Sequence, residues 1–377
     1  MAIATHRPNG RGNGGPVPAA LERPATFAEP TIPPVAFDHE ELVVRRGRRS
    51  GVYGAVAIHS TALGPALGGL RIWHYATTGD GARDALRLAS GMTYKAAAAG
   101  LDLGGGKGVI CAPAEGLEGD RRRAALLDFA DLVESLDGRY ITAEDVGTSP
   151  ADLVTIAERT SHLTGLPPER GGSGDPSPFT AIGVEAAIRA SVRAHFGDDS
   201  LAGRRVAVVG LGHVGASLAA RLAEDGCELV VSDIVDRREL AAALGAAWVD
   251  PAVALQAECD VLAPCALGGA ITARNATELR CAIVCGSANN QLADESLAEV
   301  LRARGIVYAP DFIANAGGLI HVYRELKGYS EERAVALAEG IGDTVAGVLA
   351  TADERSITPL VAADEIARER LDAALRD

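Results

Sequence analysis

The chain has 377 residues, more than the roughly 100 to 200 of a typical domain, so two domains are expected. Hydrophobic residues at 47% and charged residues at 23% are ordinary globular usage, which excludes collagen-like, coiled-coil and wholly disordered chains. Lys and Arg number 36 against 50 Asp and Glu, a formal net charge of -14, and so acidic a chain lacks the field that nucleic acid or an anionic membrane surface needs. Aromatic residues, at 4%, are too few for stacking platforms, and no run reaches about 18 apolar residues without a charge. Small-molecule chemistry is the expectation.

Residues 1–36 are rich in proline and glycine and show no periodicity, so they read as a disordered leader. They lack the apolar block and small-residue cleavage site of a secretory signal. Arg45, Arg46, Arg48 and Arg49 around Gly47 read as a solvated hairpin turn before a strand at Val52–Ser60. Apolar residues at helical spacing predict a helix from Asp80 to Ala98, with Asp80 as its cap and Lys95 near its end. LDLGGGKGVICAP reads as a glycine-rich turn entering a buried strand, and Tyr140–Thr148 as a strand ending in a polar loop. The segment GGSGDPSP (Gly171 to Pro178) marks a boundary and opens a helix capped by Ser177. We therefore divide the chain into a substrate domain (37–174), a dinucleotide-binding domain (175–330) and C-terminal helices (331–377) that pack back on the first domain. Strands and helices alternate after the boundary at the pace of βαβ units, which predicts a doubly wound parallel sheet. The last 45 or so residues read as two helices. Cys111, Cys227, Cys259, Cys265, Cys281 and Cys285 sit mostly in apolar runs, match no zinc-pair spacing, and point to a reducing, cytoplasmic setting.

Gly210, Gly212 and Gly215 form GLGHVG directly after the strand RRVAVV and directly before a helix, the context that makes this motif a dinucleotide fingerprint. The first glycine permits the tight turn, the second lets backbone approach a pyrophosphate, and the third lets helix pack on strand. His213 and Val214 complete the cofactor loop at a helix N-terminus, whose N–H groups favour an anion. Asp233 ends the next strand, placed to accept from ribose hydroxyls and to repel a 2′-phosphate, so NAD is expected over NADP. A nicotinamide enzyme also needs a substrate handle and a proton acceptor, and Lys95, Lys107 and Asp145 are the candidates. LGGGKG is not a phosphate-binding P-loop, because position 101 is Leu and Gly108 replaces the magnesium-binding hydroxyl.

GPALGGLR (Gly64 to Arg71), GMTYK (Gly91 to Lys95), LGGGK (Leu103 to Lys107), TAEDVGT (Thr142 to Thr148), GLGHVG, GSANNQL (Gly286 to Leu292) and APDFIANAGG (Ala309 to Gly318) together resemble the glutamate/leucine/phenylalanine/valine dehydrogenase family, most closely its branched-chain members. The resemblance covers roughly residues 40 to 371. It implies two α/β domains separated by a cleft, NAD as cofactor, an amino acid, its 2-oxo acid and ammonia as substrates, and a homo-oligomer. It further implies that Lys95 holds the α-carboxylate with Gly68 nearby, that Lys107 is the general base and that Asp145 shuttles protons. Thr180, Ala288 and Asn289 would lie beside the nicotinamide and its ribose. Glutamate-specific relatives resemble GPxKGG at the first motif, whereas this chain has Leu67 there, and with Ala143, Leu319 and Val322 the implied side-chain pocket is wholly aliphatic. Leucine, valine and isoleucine are the expected substrates. An aromatic amino-acid dehydrogenase and a non-catalytic NAD-binding regulator are the alternatives. His213 and His321 read as local hydrogen-bonding replacements. His59, His74, His162 and His195 stand in no ligand-like spacing, so no metal is expected.

Overall fold

The computed structural model describes residues 38–376, so the predicted leader lies outside the described residues. β1 (Glu41–Arg46) and β2 (Tyr53–Ser60) form the expected antiparallel hairpin. Its arginine-rich turn is held by Asp128, whose carboxylate accepts from the backbone N–H of Arg49 and Ser50 and from the Ser50 hydroxyl. β3 (Ala66–His74) leads into helix α1 (Thr78–Ala98), followed by β4 (Gly104–Ala112), α2 (Gly119–Glu134), β5 (Tyr140–Glu144) and α3 (Pro150–Ile156). The five strands make a mixed sheet in the order β1-β2-β4-β3-β5, with β3 parallel to both neighbours and β4 antiparallel to β2. On one face Ala57 and Val109 meet Ala85 and Ala89 of α1, and on the other Val56 and Ile110 meet Leu126 and Phe129 of α2. β4 is therefore buried on both faces and reads as a continuous apolar and glycine run rather than an alternating one.

Two sequence expectations in this half change. Asp80 is not the cap of α1; Thr77 is, and Asp80 completes a reciprocal capping box three residues on. The glycines of LGGGK do not form a turn. They lie inside β4, because a Cβ at Gly105 would stand 2.1 Å from the Thr93 nitrogen of α1 and one at Gly106 would stand 2.6 Å from the Tyr140 ring. Gly105 lets the backbones of α1 and β4 touch and Gly106 makes room for the Tyr140 ring, and Lys107 rises from within the strand rather than from its end.

The second half opens with α4 (Ser177–Phe196), where Ser177 is the first helical residue and not the cap, its N–H donating to Asp175 at 2.9 Å. Then follow β6 (Arg205–Val209), α5 (His213–Glu224), β7 (Glu228–Ser232), α6 (Arg238–Ala243), β8 (Ala247–Trp248), β9 (Val261–Pro264), β10 (Ile283–Val284), α7 (Leu297–Ala303) and β11 (Val307–Tyr308). The six strands form a wholly parallel sheet in the order β8-β7-β6-β9-β10-β11. Numbered within this half, the order is 3-2-1-4-5-6, that of dinucleotide-binding folds, with its topological switch point between β6 and β9.

The chain continues through α8 (Asp311–Ala314) and α9 (Gly317–Lys327) into α10 (Glu331–Glu339), α11 (Ile341–Arg355) and α12 (Pro359–Ala374). The expected two terminal helices are thus three, because Gly340 breaks the first pattern. The stretch 331–355 has the length and apolarity to cross a membrane. Here one face of it packs into the core, with Ala338, Ile341, Val345 and Val348 buried in one cluster with Val184 and Ile188 of α4. α12 lies on α1, and Arg370 donates to the carbonyls of Ala97 and Leu101 at 3.1 and 2.8 Å, satisfying acceptors at the α1 C-terminus.

Candidate active site

At the switch point the three fingerprint glycines are used differently. Gly210 has φ +107°, and a Cβ there would stand 2.7 Å from the Ala266 nitrogen after β9. A Cβ at Gly215 would stand 1.9 Å from the Gly210 carbonyl oxygen, so this glycine is what allows α5 to pack on β6. Around Gly212 there is open space, with nothing within 4 Å of a Cβ, and this residue caps α5 at its N-terminus. That opening, lined by backbone N–H groups, fits a dinucleotide pyrophosphate. Asp233 follows β7, and its carboxylate accepts from the N–H of Leu211 at 2.6 Å and of Val235 at 2.8 Å, which ties the acidic residue to the glycine turn. His213 is exposed at the start of α5, Val214 packs against the core, and Ala288 is buried after β10. Thr180 is buried in the first turn of α4, its hydroxyl donating to the Pro176 carbonyl at 3.1 Å.

In the first sheet, Lys107 on β4 reaches Asp145 just beyond β5, with Nζ 3.0 Å from Oδ2. β3 runs between those strands, and its two glycines make the meeting possible. A Cβ at Gly69 would stand 2.7 Å from the Asp145 Cβ, and one at Gly68 would stand 1.7 Å from the Gly106 carbonyl oxygen. Gly68 also accepts from the buried Tyr140 hydroxyl at 2.5 Å. Burial pulls the Lys107 ammonium below the ordinary lysine value; Asp145 opposes the shift and Arg71 adds to it. Burial alone would raise Asp145, but Lys107 and Arg71 together hold its carboxyl below the ordinary range.

Lys95, partly buried on α1, donates to Asn315 Oδ1 at 2.5 Å, and the Asn315 amide in turn donates to Asn289 Oδ1 at 2.7 Å and to the Ser287 carbonyl at 3.1 Å. Burial lowers Lys95 to about 8, with Lys107 close enough to contribute and Asp311 opposing. Leu67 and Leu319 are buried in one apolar cluster with Phe179, and Val322 packs against it. Ala143, half-buried on β5, pairs with Gly69. His321 stacks on Phe179 at 4.4 Å between centroids, with Nε2 2.9 Å from the Ser173 carbonyl. Glu325 accepts from Ser173 and Gly165, so α9 grips the predicted boundary segment.

Sequence reading missed two residues of this cluster. Arg71 donates to Asp145 Oδ2 at 2.9 Å and to Asp84 Oδ2 at 3.1 Å; its place in GPALGGLR, two residues after Gly69 on the same strand face, was the available signal. Asn315 links Lys95 to Asn289 from within APDFIANAGG. Sequence spacing also gave no sign that the hairpin brings Asp38, His39 and His59 together.

The model for the Glu/Leu/Phe/Val dehydrogenase dimerisation domain matches residues 37–162, and that for Glutamate/Leucine/Phenylalanine/Valine dehydrogenase matches 236–377. A leucine dehydrogenase of Thermoactinomyces intermedius is 46% identical over 338 residues, 89% of this chain and 92% of the relative. This chain belongs to the glutamate/leucine/phenylalanine/valine dehydrogenase family. A valine dehydrogenase of Streptomyces virginiae is 45% identical over 341 residues, 89% of this chain and 94% of the relative. The crystal structure of an L-tryptophan dehydrogenase from Nostoc punctiforme superposes with a TM-score of 0.81 at 37% identity, covering 90% of this chain and 98% of that one. The NAD-binding domain model of D-isomer-specific 2-hydroxyacid dehydrogenases matches residues 184–272, which contain GLGHVG. The family member therefore carries a NAD-binding domain, and the glycine geometry at the switch point accounts for it.

Proposed function

We propose that this dehydrogenase catalyses the reversible conversion of a branched-chain L-amino acid, NAD and water into the 2-oxo acid, ammonium, NADH and a proton. The observation that carries the reading is the Lys107–Asp145 pair at 3.0 Å, enclosed beside Lys95 in a chain that also holds the cofactor turn. Bound NAD supplies the hydride acceptor for the substrate Cα. In our reading Lys95 holds the α-carboxylate, released from Asn315 or sharing it. Lys107 takes a proton from the water that adds to the imine carbon, and Asp145 passes protons to and from the departing amino group. Burial, by lowering Lys107, favours the neutral amine that a base requires. Arg71 fixes the Asp145 carboxylate from the other side. Thr180, Ala288 and Asn289 are the residues we assign to the nicotinamide end, and Asp233 to the adenosine ribose.

For specificity, Leu67, Leu319 and Val322 supply an apolar surface with no cation for a distal carboxylate, and an unpaired buried carboxylate costs on the order of several kcal/mol. Glutamate is therefore disfavoured, and the leucine and valine dehydrogenase relatives agree with an aliphatic side chain. We draw the boundary between substrate and cofactor domains at 174/175. Assembly into a homo-oligomer is supported by the dimerisation-domain match over 37–162, and six free cysteines support a reducing cytoplasm. The test is NADH formation at 340 nm across aliphatic, aromatic and acidic L-amino acids. Activity confined to valine, leucine and isoleucine, and reduced about 10²- to 10⁴-fold or more by Lys107→Ala with NAD binding retained, is expected. A preference for phenylalanine overturns the pocket assignment, and full activity of Lys107→Ala overturns the base.

A further inference from the structure

Asp38, His39 and His59 meet at the open end of the β1–β2 hairpin, on the sheet face covered by α1. Asp38 and His39 are adjacent, and His59 lies 20 residues beyond His39. The antiparallel register sets Glu41 opposite Ile58, the Glu40 N–H donates to the His59 carbonyl at 3.2 Å, and the two imidazoles come edge to face at 4.7 Å between centroids. One ligand atom from each of the three residues lies within 4.8 Å of the others. His39 Nδ1 is 3.0 Å from Asp38 Oδ1, and His59 Nε2 is 3.8 Å from Asp38 Oδ2. The edge of a tetrahedron of ligands about 2.0 to 2.1 Å from a metal is about 3.4 Å, between those two distances.

The contacts of the far ring nitrogens fix which nitrogens face the carboxylate. His39 Nε2 lies 2.8 Å from the Leu86 carbonyl, which can only accept, so Nε2 carries a hydrogen and Nδ1 is the nitrogen directed at Asp38. His59 Nδ1 lies 2.9 Å from Thr93 Oγ1, which holds the ring so that Nε2 is the nitrogen that faces Asp38. Each histidine thus holds its outer nitrogen against a fixed oxygen and aims its inner nitrogen at one carboxylate, the arrangement that orients metal-binding imidazoles. A cation among the three groups takes the place of the hydrogen that otherwise bridges His39 Nδ1 and Asp38 Oδ1. Both imidazoles are 8% exposed, whereas Asp38 is 64% exposed, so the cluster is rigid on its protein side and open to solvent on the other.

We propose that Asp38, His39 and His59 bind one divalent transition-metal ion, and that zinc, with its tetrahedral preference for nitrogen and oxygen, is the ion that fits. Solvent fills the remaining position on the Asp38 side. The ion ties the start of β1 to the end of β2 and, through Leu86 and Thr93, to α1 just before Lys95. Its role is to clamp the edge of the first sheet, separate from hydride transfer.

The test uses full-length protein stripped with a chelator and titrated with zinc chloride by calorimetry, with bound metal counted by mass spectrometry and thermal unfolding followed alongside. One equivalent per chain with a micromolar or tighter Kd, and a raised Tm, is expected. Asp38→Asn, at an exposed position that does not threaten folding, weakens the Kd at least tenfold, and His39→Gln abolishes the equivalent, while His162→Gln binds like the parent. Cobalt substitution gives d–d bands without thiolate charge transfer, separating this site from the cysteines. Absence of a saturable equivalent, a Kd unchanged in Asp38→Asn, or a thiolate signature overturns the proposal.

Discussion

Gly69→Ala tests whether the placement of Asp145 sets the rate. A methyl at this position would sit 2.4 Å from the Glu144 carbonyl oxygen and 2.7 Å from the Asp145 Cβ, whereas ordinary contacts begin at 3.4 Å. The end of β5 must therefore retreat from β3 by roughly 1 Å, an overpacking that costs about 1 to 3 kcal/mol of stability. The same retreat carries Asp145 away from Lys107, now 3.0 Å distant, and a misplacement of about 1 Å in a reacting constellation costs about 10²-fold in turnover. Gly91→Ala is the matched control. Gly91 lies exposed on α1 with nothing within 4 Å of its added methyl, so alanine there gains about 0.4 to 1 kcal/mol and leaves turnover unchanged. Denaturant unfolding reads the stabilities, and NADH formation from leucine reads kcat. If Gly69→Ala keeps its parent's kcat within twofold, or if both variants lose activity together, the argument that β3 glycines position Asp145 is refuted.

Three further outcomes follow from the same geometry. Lys95 releases its proton at about 8 in the folded chain and at its ordinary 10.5 when unfolded, so the unfolded state binds more protons between those values and stability must rise with pH across that window. Measured against Lys95→Met, which lacks this proton, the rise should disappear; an identical pH profile for both proteins contradicts the burial of that ammonium. Leu319→Val removes one methylene from the apolar cluster, and the ratio of kcat/KM for leucine over valine should increase by about tenfold, within the 1 to 3 kcal/mol that one methylene provides. An unchanged ratio would place Leu319 outside the pocket. Asp233→Ser removes the carboxylate that we assign to the ribose and that anchors the Leu211 and Val235 N–H groups, so KM for NAD should rise while NADP becomes usable; retention of strict NAD preference would assign discrimination to other residues.

Much of this protein was legible in its sequence because the relevant signals are local. The three glycines of GLGHVG stand within six residues, and the steric demands inferred for Gly210 and Gly215 are met where the chain passes from β6 to α5. The alternation of short apolar strands with helices likewise announced the parallel sheet. Local reading went astray where packing partners come from far away. LGGGK has the composition of a turn, yet it is a strand, because α1 and Tyr140 press against it too closely for any side chain. Arg71 and Asn315 look like ordinary polar residues until β3 and the end of α8 bring them to Asp145 and Lys95.

By itself the sequence determined the kinds of chemistry available: a dinucleotide turn, two lysines and a carboxylate were carried by residue identity and short-range spacing, and an aliphatic wall was implied by the family resemblance. Only the tertiary structure decided which of these groups meet. Lys107 and Asp145 become a pair across β3, and Asp38, His39 and His59 become a cluster across a hairpin, since strand register and helix packing set distances between residues that sequence separation leaves open. Those distances also set the protonation states, because burial and charge partners, not residue type, pull Lys95 and Lys107 below the ordinary lysine value.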